Sequence, residues 1–231
     1  MKKLLLIAPL ALAACGEEPA PEPAPSAEPT VAAPRTLVAA DFDAAMLGAK
    51  IDGPQGPEPE AAIMAEGREI ARIKSFVACP EGTAECVPDE MPADTVYTYV
   101  HEITLADDVE PDDLETPVVD GAVDQTSGAL FRMTREATGF NRSVGYSREQ
   151  AETALGEPDA ITVTADEGQI IWRVTGGTGW KPGERITVWW QSTAPPAGPA
   201  DAYSLEVRGM TATAKGPFPG AENPAEGGSA N

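Results

Sequence analysis

Apolar and polar residues alternate along seven short stretches of this chain. Alternation of this kind places successive side chains on opposite faces of an extended strand. Clusters of Gly, Pro or Asp bound each stretch, as is typical of strands in antiparallel sheets. The stretches are Ala71–Ala78, Tyr97–Leu105, Ala129–Thr134, Ile161–Thr164, Gln169–Thr175, Arg185–Gln191 and Ala202–Arg208. Together they predict a mainly β fold, an antiparallel β-sandwich of immunoglobulin-like type.

One short helix is predicted between the strands. Ser147 and Gln150 have the spacing of a capping box, in which the serine hydroxyl accepts from an amide of the first turn and Gln150 reaches back. Alanines and a leucine follow, and Gly156 with Pro158 ends the pattern.

The four tryptophans lie close together, and the strand phases divide them into two groups. Trp172 and Trp190 share the apolar phase of their strands and are predicted to be core residues. Trp189 has the opposite phase to Trp190, and Trp180 lies in a glycine-rich turn. Because exposed aromatic rings bind sugars and peptides, Trp180 and Trp189 are the candidates for a carbohydrate- or peptide-binding surface.

The first sixteen residues have the pattern of an export signal. Two lysines precede an apolar run from Leu4 to Ala11, which is too short to cross a bilayer as a helix. The run ends in Leu12-Ala13-Ala14-Cys15-Gly16, which resembles the lipobox of bacterial lipoproteins. The alternative is an ordinary signal peptide cleaved after an A-x-A site, with a cysteine nearby by chance.

The resemblance to a lipobox implies where in the cell the chain is located and how it is anchored. In that family the signal peptide, here residues 1–14, is removed by signal peptidase II and the cysteine, here Cys15, is acylated. Two or more acyl chains make such anchoring durable. Gly16, where some members have Asp, implies sorting to the outer membrane. We therefore expect a periplasm-facing protein held to a lipid bilayer through Cys15.

Composition sets the remaining domain boundaries. Six prolines and four glutamates occur between residues 17 and 35, and alternating proline forms neither helix nor inner strand. We expect residues 15–35 to be a linker, residues 36–214 to fold as one β-rich domain, and residues 215–231 to be a disordered tail rich in Gly, Pro and Ala.

The chain has three cysteines, and lipidation of Cys15 would leave the pair Cys79 and Cys86. In an exported protein an even pair of this kind predicts a disulfide, and Pro80 and Gly82 favour the turn that it needs. A metal site is the alternative, but the spacing is not Cys-x-x-Cys and the only histidine is fifteen residues away. We predict no metal site and no cofactor.

Charge and the single histidine narrow the function classes. A formal charge of −21 repels nucleic acid, so we expect no nucleic-acid partner. Any Ser-His-Asp triad must use His101, which we interpret as a half-buried strand residue. The nearest match to a nucleophile elbow, around Ser143, lacks the first glycine.

Six carboxylates lie between Asp107 and Glu115. They lack the residue order of a calcium-binding loop, so this stretch is predicted to be a solvated loop.

A second likeness covers only Tyr146–Trp172. This stretch resembles the helix-then-sheet segment of SmpA/OmlA-type outer-membrane assembly lipoproteins. The rest of the chain departs from that pattern, because strands precede the helix here and helices come early in that family. The likeness therefore assigns no role to the domain.

These observations predict a non-enzymatic structural or interaction module of the cell envelope, with an envelope protein or a polysaccharide as its partner. A carbohydrate- or peptide-binding module is the first alternative, and a hydrolase is the second.

Overall fold

A computed structural model describes residues 34–51, 59–109 and 128–220 of the 231-residue chain. Thirteen strands and one α-helix make up most of this part, together with two short 3₁₀ turns, Phe42–Ala45 and Pro88–Glu90. The helix, α1, spans Arg148–Leu155. The strands are β1 Arg35–Thr36, β2 Ala40–Asp41, β3 Leu47–Lys50, β4 Glu60–Ala65, β5 Arg68–Pro80, β6 Tyr97–Leu105, β7 Leu130–Met133, β8 Phe140–Tyr146, β9 Ile161–Asp166, β10 Gln169–Val174, β11 Arg185–Ser192, β12 Pro196–Val207 and β13 Met210–Pro219.

The strands form two sheets. The first has the order β1-β9-β10-β7-β12-β13, and the second has the order β2-β8-β11-β6-β5-β3, with β4 also paired to β5. Neighbouring strands are antiparallel except for β2 and β8. Each of the seven stretches with alternating residues coincides with a strand or part of one, to within one residue at either end. The predicted mainly β, two-sheet fold with one short helix is therefore confirmed, while its immunoglobulin-like type stays a prediction.

Aromatic rings fill the space between the sheets. Trp190 of the second sheet stacks on Tyr99, with ring centroids 4.5 Å apart. In the first sheet Phe131 stacks on Tyr203 at 5.3 Å. Trp172 is buried and donates its indole N–H to the carbonyl of Gly145 across the core, at 3.1 Å. Trp172 and Trp190 are therefore core residues, as their strand phase predicted.

Helix α1 begins and ends where the sequence predicts. The Ser147 hydroxyl accepts from the amide of Gln150 at 3.3 Å, and Gly156 adopts the left-handed conformation at the carboxyl end. The Gln150 side chain does not reach back as a capping box requires. Its Oε1 accepts instead from the backbone N–H of Thr187 at 2.7 Å, which ties the helix to β11.

The carboxyl-terminal boundary predicted at residue 214 is wrong. Strand β13 continues to Pro219, pairs with β12 and contributes the Pro217 carbonyl, which accepts from the Tyr203 hydroxyl at 2.7 Å. Proline is tolerated there because β13 is an edge strand. At the other end, Arg35 already belongs to β1 rather than to the linker. The rest of the predicted linker and tail, and Cys15, lie outside the described residues.

Cys79 and Cys86 form the predicted disulfide at the end of β5. Both half-cystines are buried, and Ile51 makes a bridge to Cys86 from the other side. The disulfide closes a short loop between β5 and the 3₁₀ turn that precedes β6.

The disulfide gives a first testable expectation. Closing a loop of eight residues stabilises a fold by roughly 2–3 kcal/mol in the chain-entropy model. The double variant Cys79→Ala/Cys86→Ala should therefore lose about that much free energy of unfolding in a urea titration. The single-site change Glu85→Ala, an exposed residue inside the same loop, serves as the control. Equal unfolding midpoints for the double variant and the control would show that the bond does not stabilise the domain.

Candidate functional site: a polar cleft beside Arg68

Trp189 does not lie on the surface, so its predicted exposure is wrong. It points away from the core shared by the two sheets, as its phase requires, but only 3% of it is exposed. Residues 40–47, which we call the N-terminal strap, cover it: Phe42, Ala45 and Leu47 pack over Trp189 and its sheet neighbours. The indole is buried in a second, smaller apolar layer.

The predicted exposure of Trp180 is also wrong. The residue lies in the turn between β10 and β11, but its ring enters the end of the core and donates to the Glu184 carbonyl at 3.0 Å. Beside it is a cavity of about 10 Å³, lined by apolar side chains. Such a space is at the lower limit for one water molecule. Neither tryptophan offers a ring face to a sugar or peptide.

His101 is fully buried between the sheets, not half-buried as predicted. Its Nδ1 lies 2.9 Å from the Ser75 hydroxyl, and its ring packs against Tyr203 with centroids 4.3 Å apart. Burial lowers the pKa of the imidazole to about 3, so His101 is neutral at physiological pH. Its Nε2 has no hydrogen-bond partner in the described part of the chain.

The histidine therefore cannot act as a general base on an external substrate in this fold. It contacts a serine but no carboxylate among the residues described, and no solvent reaches it. Ser143, the other serine considered, lies within strand β8, where its backbone N–H bonds the Asn141 side chain at 2.8 Å. A strand interior lacks the sharp strand-to-helix turn of a nucleophile elbow.

An open polar cleft lies where four turns meet at one end of the sandwich. The cleft has two adjoining lobes of about 460 and 420 Å³, and Arg68 and Asp108 line both. Arg72, Thr104 and Asp107 belong to the larger lobe. Arg208 and Met210 belong to the smaller lobe.

Backbone hydrogen bonds fix the floor of the larger lobe. The amide of Ala106 donates to the Ile70 carbonyl at 3.0 Å, and Gly183 donates to the Leu105 carbonyl at 3.0 Å. Gly183 has a positive φ of 74°, and an added Cβ would meet a carboxylate oxygen of Asp107 at 2.6 Å. The Asp107 carboxylate therefore lies directly on this turn.

Hairpin turns bring arginines to the rim of the cleft. Arg68 begins β5 directly after the turn at Gly67, and Arg208 occupies the first position of the β12–β13 turn with a φ of 51°. A left-handed conformation is uncommon for a residue other than glycine, asparagine or aspartate. The Arg68 guanidinium contacts the Met210 sulfur at 3.8 Å, which joins the two hairpins.

The charges of the cleft divide into paired and unpaired groups. Arg72 donates to Glu69 at 2.7 Å and lies 3.8 Å from Glu60. Its hydrogen bond with Glu69 raises the pKa of the guanidinium further. Among the described residues, Asp107 and Asp108 form no ion pair or hydrogen bond through their carboxylates, and Arg68 has none besides the contact with Met210.

No group of three or more His, Cys, Asp or Glu side chains that could hold a metal ion occurs within the ranges described, which include Asp107 and Asp108 of the predicted acidic loop. Residues 110–115 of that loop lie outside those ranges. No described helix has the length and apolar character needed to span a bilayer.

A scan against protein-family models gives no match, and searches among curated proteins and solved structures give none either.

Proposed function

We propose that this chain is a bacterial lipoprotein, anchored to the envelope through an acylated Cys15, whose β-sandwich is a non-enzymatic interaction module facing the periplasm. The observation that carries the proposal is the sequence Leu12-Ala13-Ala14-Cys15-Gly16 after a basic and apolar leader. The Pro-rich stretch that follows would act as a tether, and Gly16 favours the outer membrane.

The interaction role is supported by what the described surface offers. The only histidine of the chain is sealed in the core, while Arg68, Asp107 and Asp108 lie open to solvent in one cleft. Open charged groups with a fixed backbone behind them suit reversible binding of a polar partner. A tryptophan-based sugar site is not favoured, because Trp180 and Trp189 are buried.

The anchor is tested by Cys15→Ala. With the full-length gene expressed in a Gram-negative host, the wild-type protein should enter the detergent phase on Triton X-114 separation, because acyl chains would carry it there. The variant should remain in the aqueous phase or accumulate as uncleaved precursor.

A matched control removes cysteines without touching the anchor. Cys79→Ala/Cys86→Ala should enter the detergent phase like the wild type. If Cys15→Ala also partitions with detergent, the assignment of the anchor to Cys15 is wrong.

A further inference from the structure

We infer that the cleft beside Arg68 binds a small ligand that carries both a carboxylate and an ammonium group, of the kind found in a short peptide with free ends. The inference rests on the proposed interaction role and names the chemical class of the partner. It follows from which charges of the cleft are already neutralised and which are not.

Arg72 is satisfied by the protein itself. Glu69 and Glu60 flank its guanidinium, so the charge of Arg72 is already balanced by the protein and is not counted among the open charges. Once this group is set aside, the open ionic side chains of the larger lobe are one cation, Arg68, and two anions, Asp107 and Asp108.

These open charges have opposite sign but do not neutralise each other. Arg68 and Asp108 line both lobes, yet no ion pair joins them at 4.0 Å or less in the described part of the chain. A ligand between them would place its carboxylate on the guanidinium and its ammonium group on the aspartates. Arginine binds carboxylates through two parallel N–H donors, which gives that end of the ligand an orientation.

The size of the lobes and the overall charge of the chain restrict the class of ligand further. Each lobe lies within the roughly 300–1,000 Å³ typical of small-ligand sites. A polyanion would be repelled by a chain of formal charge −21, whereas a zwitterion of zero net charge would not. Each lobe also has an uncharged side chain that could contact the middle of such a ligand. This side chain is Thr104 in the larger lobe and Met210 in the smaller lobe.

The test uses trialanine with free ends and its doubly blocked form, N-acetyl-trialanine amide, titrated into the detergent-solubilised mature protein by isothermal calorimetry. The free peptide should bind at least about tenfold more tightly than the blocked one. Arg68→Gln and Asp107→Asn/Asp108→Asn should each weaken binding of the free peptide by about tenfold or more, the change that 1.4 kcal/mol produces.

Arg142→Gln is the matched control, since Arg142 is an exposed arginine on β8 outside the cleft. It should bind the free peptide like the wild type, and all variants should keep the wild-type thermal midpoint. The inference is overturned if the blocked peptide binds equally well, if neither peptide binds, or if Arg142→Gln loses as much as Arg68→Gln. None of these outcomes bears on the Cys15 anchor, which detergent partitioning tests separately.

Discussion

Trp190→Ala is expected to lower the free energy of unfolding by roughly 3–5 kcal/mol, the usual cost of truncating a large aromatic residue in a core. Trp190 is fully buried, stacks on Tyr99 and meets the edge of Phe140, with ring centroids 6.3 Å apart. Alanine would leave a cavity between the two sheets that stacked rings cannot close.

Trp189→Ala should be costly as well, by about 3 kcal/mol, although its side chain points to the opposite face of the sheet. It fills the layer between that face and the N-terminal strap, together with Phe76 and Val100. Its indole N–H has no partner among the described residues, so Trp189→Phe loses no hydrogen bond and should cost much less.

Urea unfolding of the three variants measures these differences. Trp189→Ala should also speed proteolytic cleavage within the strap, because the strap would lose its main apolar contact. A Trp189→Ala protein as stable as the wild type would mean that the strap does not pack on this face. A stable Trp190→Ala protein would contradict the assignment of the two faces of β11.

The second large effect is a loss of stability in acid caused by His101. The pKa of its imidazole is about 3 in the folded state and about 6.5 in an unfolded chain. Since the unfolded state takes up the proton first, the stabilising contribution of neutral His101 is complete above pH 6.5 and falls as the pH is lowered toward 3. At about 1.4 kcal/mol for each pH unit, the loss between pH 6.5 and 4.5 is roughly 2–3 kcal/mol.

Carboxylates titrate over part of the same range, so the histidine contribution must be isolated by comparison. The double variant Ser75→Ala/His101→Phe removes the imidazole and also its hydroxyl partner, leaving no unpaired polar group at Ser75. Between pH 6.5 and 4.5 the wild type should lose about 2–3 kcal/mol more than the double variant in urea titrations at each pH. Parallel stability curves for the two proteins would contradict a buried, neutral histidine.

The fold could be predicted from the sequence where the deciding pattern is local. Strand alternation repeats every two residues, so it is visible in stretches such as Arg185–Gln191 without knowledge of the partner strand. Strands β8 and β13 are not predicted because their sequences do not alternate. The polar run Asn141-Arg142-Ser143 interrupts β8, and β13 mixes small residues with Gly216 and prolines. Pairing with β11 and β12 holds these segments in the sheets.

Burial of Trp189 could not be predicted from its strand. The phase of β11 correctly placed it on the opposite face from Trp190, but what covers that face comes from about 140 residues earlier in the chain. A strand pattern states which way a side chain points and carries no information about a second layer.

The cleft was missed because it has no local signal. Asp108 and Arg208 lie in two separate turns, and Arg68 begins a strand after a third. Each residue taken alone has the pattern of an ordinary solvated charge. Only the pairing of β5 with β6 and the approach of the β12–β13 hairpin bring them together.

The central claim is that the folded domain is held to the envelope by lipid on Cys15, and peptide mass spectrometry of the protein purified from its own membranes tests it most directly. The proposal predicts that the first residue of the mature chain is Cys15 and that its peptide carries the mass of attached acyl chains. A mature chain that begins at another residue, or an unmodified Cys15 peptide, would contradict the proposal.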